Sequence, residues 1–299
     1  MCIRDRLFIL SFHWGVAGAA IATVAAQLIS TLGCFLYAFL KYPELRLHRE
    51  DWRITRRDVT RHLIQGIPLG LQFSVLAIGI IVMQSVIVQF DTLGGEMVSN
   101  AAQNGFGAAN KLNNLLMTPL NGLGAAMTSF TAQNLGAGDH ARIKKGTVQA
   151  LIIVWTMCLI SIAAGLLLSR GGGYLYIFLS PDKVTAETMR YGNTYLYVDL
   201  SLYLFLGFIF VVRNCVQGIG KPQFVLGAGA AELAARVSVC LLLPPLIAGG
   251  AVNSDAPRAA VYALCFADPF AWMAADAVLL VPFLRNIMKM DYRYLKGTM

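Results

Sequence analysis

The sequence predicts an all-α integral membrane protein with about seven transmembrane helices, six of which form one bundle. Of its 299 residues, 57% are hydrophobic and only 13% are charged, which is too little charge to cover a soluble surface. The mean hydropathy is +0.61. The charged residues are concentrated between apolar stretches, which have the length that crosses a bilayer.

Seven stretches are apolar enough to cross the membrane, taking about 20 residues as one crossing. The first and third are too long for one straight crossing and are expected to include tilted or flanking turns. The predicted spans are residues 7–40, 67–90, 98–135, 148–169, 191–218, 224–248 and 259–284.

Several of these stretches contain proline, which removes a backbone donor and is expected to interrupt a helix. The prolines concerned are Pro68, Pro119, Pro244, Pro245, Pro269 and Pro282. Broken helices occur in many transporters, although they also occur in other membrane proteins.

The distribution of Lys and Arg between the predicted spans indicates the orientation. The links after the first, third and fifth spans and the C-terminal tail hold fifteen basic residues, and the alternate links hold four. By the positive-inside rule, the basic links and the C-terminus lie in the cytoplasm. Topology therefore explains the net charge of +8, and no nucleic-acid partner is expected.

No catalytic or metal-binding motif accounts for the polar residues. The six cysteines lack a CxxC pair and read as small buried hydrophobic residues, and neither HExxH, GxSxG nor a Walker-type sequence is present. Residues 136–139 match the GxGD pattern of intramembrane aspartyl proteases, but Asp139 falls where the chain leaves the membrane. We therefore expect neither an enzyme nor a resident cofactor, and transport would be driven by H+ or Na+.

The third predicted span is rich in amides, which are costly to expose to lipid. Gln103, Asn110, Asn114 and Asn121 are separated by seven, four and seven residues and so share one helix face. Lys111 lies deep in the same span. The favoured interpretation is the wall of a solute cavity, and the alternative is hydrogen bonding that holds helices together.

Charged residues also lie inside later spans. Glu232 and Arg236, four residues apart, are expected to form an ion pair, either structural or involved in gating or proton coupling. Asp268 and Asp276 are eight apart and roughly on one face. A buried carboxyl group can take up a proton, because leaving water disfavours its charged form, although Asp268 could instead cap a turn at Pro269.

Two further charged residues stand in the fifth predicted span. Asp199 has apolar surroundings, and Arg213 is expected near the cytoplasmic end, where it would extend its charge to the interface or cap the helix.

Several short runs resemble the multidrug and toxic compound extrusion (MATE) family of transporters. The most specific is TSFTAQNLGAG at residues 128–138, which resembles the cytoplasmic end of the family's eighth helix. Runs that agree in order are GIPLG at 66–70, AANK at 108–111, RNCVQGIG at 213–220, ELAAR at 232–236 and DPFAW at 268–272. Together they extend over about residues 14–284.

The resemblance implies a plasma-membrane antiporter of two six-helix lobes, which exports amphipathic, often cationic compounds in exchange for H+ or Na+. The seven spans would be its sixth to twelfth helices. Residues 1–6 would be a non-native start, 7–42 the last helix of a truncated N-terminal lobe, 43–65 a basic amphipathic cytoplasmic connector, 66–285 the six-helix C-terminal lobe and 286–299 a cytoplasmic tail.

The resemblance also bears on the site residues. Some sodium-coupled members use an acid in the seventh helix, where this sequence offers Gln72 and Gln84 as cavity residues but no acid. Coupling within this lobe would then fall to the four acids named above in the spans. Two alternatives stay open: a lipid-linked sugar flippase of the same superfamily, and a non-transporting scaffold or inactive remnant.

Overall fold

The computed structural model describes residues 15–43 and 55–289. The predicted start at residues 1–6, residues 44–54 of the predicted connector and residues 290–299 of the predicted tail lie outside the described residues. Residues 56–65, which belong to the predicted connector, form the first turns of the long helix Arg56–Gln89. The chain divides into two compact units, residues 1–60 and 61–299.

Helices make up nearly all of the described structure. In chain order they are α1 (Gly15–Lys41), α2 (Arg56–Gln89), α3 (Ala101–Gly136), α4 (His140–Ser169), α5 (Gly173–Phe178), α6 (Ala186–Ser201), α7 (Tyr203–Gly218), α8 (Pro222–Ala248), α9 (Arg258–Cys265) and α10 (Ala267–Pro282). Strands β1 (Thr92–Leu93) and β2 (Glu96–Met97) form a short antiparallel hairpin, and Phe283–Met288 is a π-helical turn. The predicted all-α fold is confirmed.

Length and apolar composition mark five stretches as able to cross a membrane, or six if the bent pair α6 and α7 counts as one span. These correspond to six of the seven predicted spans. Among the described residues, α3 does not pass the same test because of its many amides. Length and composition alone thus support up to six spans in the described residues, and the total of about seven stays a prediction.

The helix breaks coincide only in part with the prolines of the sequence. Helix α2 runs through Pro68, α3 through Pro119, and α8 through Pro244 and Pro245. The fifth predicted span instead breaks at Leu202, where α6 and α7 meet at an angle of 57°. The prediction is wrong at these four prolines, because a proline at most removes one donor and adds local crowding, which tertiary packing can accommodate within a helix. Near Pro269 and Pro282 the helix does change, since α10 begins at Ala267 and gives way to the π-helical turn after Pro282.

Helix α3 is the centre of the second unit and packs against α4, α6 and α7. Its N-terminus is held by Asp91, whose carboxylate accepts hydrogen bonds from the backbone N–H groups of Ala102 at 3.0 Å and Gln103 at 2.9 Å. These are among the donors that a helix start leaves without a partner. The preceding hairpin and this cap fix how the chain enters α3.

Two glycines allow α3 and α6 to cross at backbone contact. A Cβ atom on Gly105 would lie 2.9 Å from the backbone nitrogen of Gly192, and one on Gly192 would lie 2.8 Å from the carbonyl oxygen of Gly105. Any larger side chain would push the helices apart. This close approach brings the amides of α3 beside the polar residues of α6.

Candidate substrate cavity and buried charge network

Helices α2, α3, α6, α7, α8 and α10 enclose a cavity of about 370 Å³. Its lining combines an apolar and aromatic part with amides and four charged side chains. The apolar part includes Phe73, Leu76, Ile80, Met117, Phe210 and Trp272. A mostly apolar cleft with a few polar groups is the usual form of a small-molecule site.

The amides of the lining come from three helices. They are Gln72 of α2, Asn110, Asn113, Asn114 and Asn121 of α3, and Asn214 and Gln217 of α7. The Asn114 Nδ2 atom donates to Asn110 Oδ1 at 2.6 Å, so the α3 amides partly satisfy each other along the helix. Gln72 is buried, and its Oε1 atom has no hydrogen-bond partner. The side chains of Asn114 and Asn121 are exposed, so the wall has polar atoms available to a solute.

Four charged side chains form a connected network beside these amides. Arg213 Nη2 lies 2.7 Å from Glu232 Oε2, and Arg236 Nη2 lies 3.4 Å from Glu232 Oε1. The same Arg236 atom lies 2.7 Å from Asp268 Oδ1. Two guanidinium groups and two carboxylates balance each other, which is what burial of charge requires. The network joins α7, α8 and α10.

Asp199 lies next to this network but has a different kind of partner. It is fully buried, and its Oδ2 atom accepts a hydrogen bond of 2.7 Å from Asn113 Nδ2. Tyr195, one turn earlier on α6, donates to Asp268 Oδ2 at 2.9 Å. In the described part of the chain Asp199 forms no ion pair, and its Oδ1 atom has no hydrogen-bond partner.

Only some of the predicted cavity residues line the observed cavity. Gln72, Asn110, Asn114 and Asn121 line the cavity. The other three predicted positions, Gln84, Gln103 and Lys111, do not.

The reasons are geometric. Successive helix residues are about 100° apart, so Lys111 points away from the direction of Asn110 and is exposed, and Gln84 is likewise exposed beside the buried Met83. Gln103 lies in the first turn of α3, beyond Phe106, with its Nε2 atom buried and unpaired. Sharing one face did not ensure sharing one cavity, because α3 is longer than the cavity.

The predicted charged residues are mostly brought together. Glu232 and Arg236 form the expected pair, and Asp268 joins them. Asp276 is half-buried, two turns from Asp268, and interacts electrostatically with Arg213 and Glu232, while its Oδ1 atom has no hydrogen-bond partner.

The interpretation of Arg213 as a residue that extends to the interface is wrong, because its guanidinium is held by Glu232 inside the cavity. The sequence reasoning also missed Asn113 and Tyr195. Tyr195 could have been found from its position four residues before Asp199, which places both on one helix face. Asn113 gave no comparable signal, since it lies off the face shared by the other amides.

The sequence is similar to known membrane transporters. The sequence profile of the MatE family matches residues 64–242. The chain is 30% identical over 235 residues to the probable multidrug resistance protein YpnP of Bacillus subtilis strain 168. The aligned region covers 74% of this chain and 46% of that protein. The chain therefore spans about half the length of this relative.

Solved structures show the same fold. An outward-facing multidrug resistance MATE family transporter of the MOP superfamily aligns with a TM-score of 0.76 at 19% identity, covering 95% of this chain and 59% of that one. A MOP superfamily transporter from Pyrococcus furiosus aligns with a TM-score of 0.75 at 20% identity, covering 97% and 60%. At this level of identity, the likeness concerns the fold.

Proposed function

Since the chain belongs to the MATE family of multidrug and toxic compound extrusion transporters, we propose that it forms one lobe of an antiporter that exports amphipathic organic compounds, many of them cationic. The exchanged ion is H+ or Na+. The proposed location is the plasma membrane with the C-terminus in the cytoplasm, which the excess of Lys and Arg in alternate links supports. The substrate pathway would be completed by a second lobe.

The cavity is the observation that carries this proposal. It pairs apolar and aromatic side chains, which suit the body of an amphipathic compound, with amides that can either donate or accept hydrogen bonds. Amides suit varied solutes better than a fixed array of charges does. MATE structures solved in complex with MaL6 and MaD5 support ligand binding by this fold.

Asp199 is the carboxyl group best suited to ion coupling. Glu232 and Asp268 each lie 2.7 Å from a guanidinium nitrogen. Asp199 instead has an amide partner, and it interacts with Asp268, Tyr195 and Arg236 without forming an ion pair. A buried carboxylate that is not directly paired with a cation is costly. Binding of H+ or Na+ would neutralise the carboxylate of Asp199. Release of the ion would leave that carboxylate charged and so change the free energy of the lobe.

The proposal is tested by efflux from proteoliposomes that contain the full-length protein carrying this chain. We expect ethidium extrusion when a proton or sodium gradient is imposed, and none when an ionophore collapses it. Gradient-independent behaviour would contradict coupling. Failure to move any amphipathic dye would favour a non-transporting scaffold.

A lipid-linked sugar flippase is the second candidate, because two guanidinium groups line the cavity and could bind a pyrophosphate. Both are already engaged by carboxylates, which makes this candidate the weaker one. Translocation of a fluorescent lipid-linked sugar across the same vesicles, without dye extrusion, would favour it over the antiporter.

A further inference from the structure

Arg213 uses only part of its guanidinium in the charged network. Its Nη2 atom donates to Glu232 Oε2 at 2.7 Å, while its Nε atom is buried without a partner. Its side chain is 15% exposed, which is more than that of Glu232, Arg236 or Asp268. Since a guanidinium carries five N–H donors, Arg213 has donors left for a second acceptor.

Asp276 offers such an acceptor on a neighbouring helix. It belongs to α10, which packs against α7 and α8, and it interacts electrostatically with Arg213 of α7 and Glu232 of α8. Its Oδ1 atom is buried and has no hydrogen-bond partner. A buried donor on Arg213 and a buried acceptor on Asp276 are thus both unsatisfied, which costs free energy at each. Arg213 interacts with two carboxyl groups and is bonded to only one of them.

The other charged groups of this region act at a different level of α10. Asp199 of α6 and Arg236 of α8 interact with Asp268, which lies two turns before Asp276. Arg236 is therefore committed to the earlier acid of α10. The cation that Asp276 meets is Arg213.

The balance of charges indicates that Asp276 holds a proton in this arrangement. Arg213 balances Glu232, and Arg236 balances Asp268. Asp276 then has no cation of its own, and a carboxylate removed from water without one is costly. A proton on Asp276 removes that cost.

A second arrangement of the same groups balances equally well. If Arg213 turns to Asp276, that carboxyl group gives its proton to water and becomes the partner of the guanidinium. Glu232 keeps Arg236 at 3.4 Å from Oε1, and its Oε2 atom is left free in the cavity that both residues line. A monovalent organic cation beside Oε2 replaces the charge that Arg213 withdraws. One cation enters and one proton leaves, so the net charge of the network does not change.

The cavity suits a cation at this position. Phe210 and Trp272 also line it, and aromatic rings attract cations where water is excluded. Asp276 is not among the residues that line the cavity. Movement of Arg213 toward Asp276 therefore takes a positive charge away from the place where the cation binds, which lowers the repulsion between them.

We infer that Glu232 binds the cationic group of a transported compound, and that Arg213 uncovers Glu232 by moving to Asp276, which releases its proton. The inference rests on the proposed transport function and names the residue that binds the compound. Asp199 keeps its own ion during this exchange, so the exchange adds to the coupling at Asp199 and does not replace it.

Ethidium, a permanent monovalent cation, tests this inference without any gradient. It is added to the purified full-length protein that carries this chain, in weakly buffered detergent solution. Fluorescence anisotropy measures binding, and a pH indicator measures proton release. We expect close to one proton to be released per bound ethidium, and an affinity that rises up to about tenfold per pH unit.

Three substitutions separate the roles of these residues. Asp276→Asn leaves Arg213 without a second carboxylate, so ethidium should bind roughly tenfold more weakly and release no proton. Arg213→Gln leaves Glu232 uncovered, so ethidium should bind at least as tightly as in the wild type, again without a proton. Asp199→Asn should release the same proton as the wild type, because Asp276 is its source.

The control Asp182→Asn, at an exposed aspartate, should match the wild type in both measurements. Absence of ethidium binding, binding without proton release in the wild type, or loss of the proton in Asp199→Asn would overturn the inference. Release that persists in Asp276→Asn or Arg213→Gln would do the same, and it is what a merely structural network predicts. If Arg213→Gln does not fold, the other variants decide.

Binding does not require transport, so the two proposals fail separately. Proton-linked binding that depends on Asp276, without gradient-driven efflux, contradicts only the antiporter. Gradient-driven efflux without proton release from Asp276 contradicts only this exchange.

Discussion

The Nη2 atom of Arg236 lies 2.7 Å from the Oδ1 atom of Asp268 and also reaches Glu232, so one guanidinium on α8 serves two buried carboxylates on two helices. Gly79 of α2 leaves room for this guanidinium, because a Cβ atom there would lie 3.0 Å from Arg236 Nη1. The network consequently depends on Arg236 more than on either acid.

Arg236→Met is expected to destabilise the fold strongly. It leaves Asp268 without a cation and Glu232 with Arg213 alone, and breaking a buried pair costs about 3–5 kcal/mol. Thermal unfolding of the purified protein measures the loss as a lower Tm. Arg170→Met, at an exposed position, is the control and should change stability by less than about 0.5 kcal/mol. Equal Tm values for the two variants would contradict the importance of the network.

Asp199→Asn is expected to abolish ion coupling while preserving the fold. The new Oδ1 atom can still accept the hydrogen bond from Asn113, but the side chain no longer carries a charge for H+ or Na+ to neutralise. Gradient-driven dye efflux should fall to the level of empty vesicles, with dye binding retained. Glu187→Gln replaces an exposed acid on the same helix and should leave efflux intact. Normal coupling in Asp199→Asn would assign the coupling role elsewhere.

Asn113→Ala is expected to lower stability by about 1–3 kcal/mol, because the buried carboxylate of Asp199 loses its amide donor. The neighbouring Asn114 is exposed. Asn114→Ala should therefore cost less than about 0.5 kcal/mol. Chemical or thermal denaturation compares the two variants directly. A larger loss in Asn114→Ala would show that the hydrogen bond to Asp199 contributes little.

Gly105→Ala is expected to separate α3 from α6, since its Cβ atom would overlap the carbonyl oxygen of Thr188 and the backbone of Gly192. Such overpacking typically costs about 1–3 kcal/mol. Gly107→Ala is a matched control on the same helix, because nothing lies within 4 Å of its Cβ position. It should keep or slightly raise the Tm, as alanine favours helix. The test fails if both variants unfold alike.

The contacts that the sequence predicted well are local. Glu232 and Arg236 lie four residues apart on one helix, so their pairing follows from helix geometry alone. The amide face of α3 was predicted for the same reason, and Asn110, Asn114 and Asn121 do line the cavity.

The contacts that were missed are tertiary. Arg213 meets Glu232 because α7 and α8 are packed so that their side chains face each other, and neither residue's own neighbourhood in the sequence predicts this. The bend at Leu202 was missed for the same reason. No proline marks it in the sequence, and the helix ends there because of its packing in the surrounding bundle.

The crossing of Gly105 and Gly192 has a mechanical consequence. Where two helices touch backbone to backbone, few side-chain rearrangements can shift one past the other, because the contact itself is made largely by the backbones. We therefore expect the amides of α3 and the carboxyl group of Asp199 on α6 to be displaced together if either helix moves.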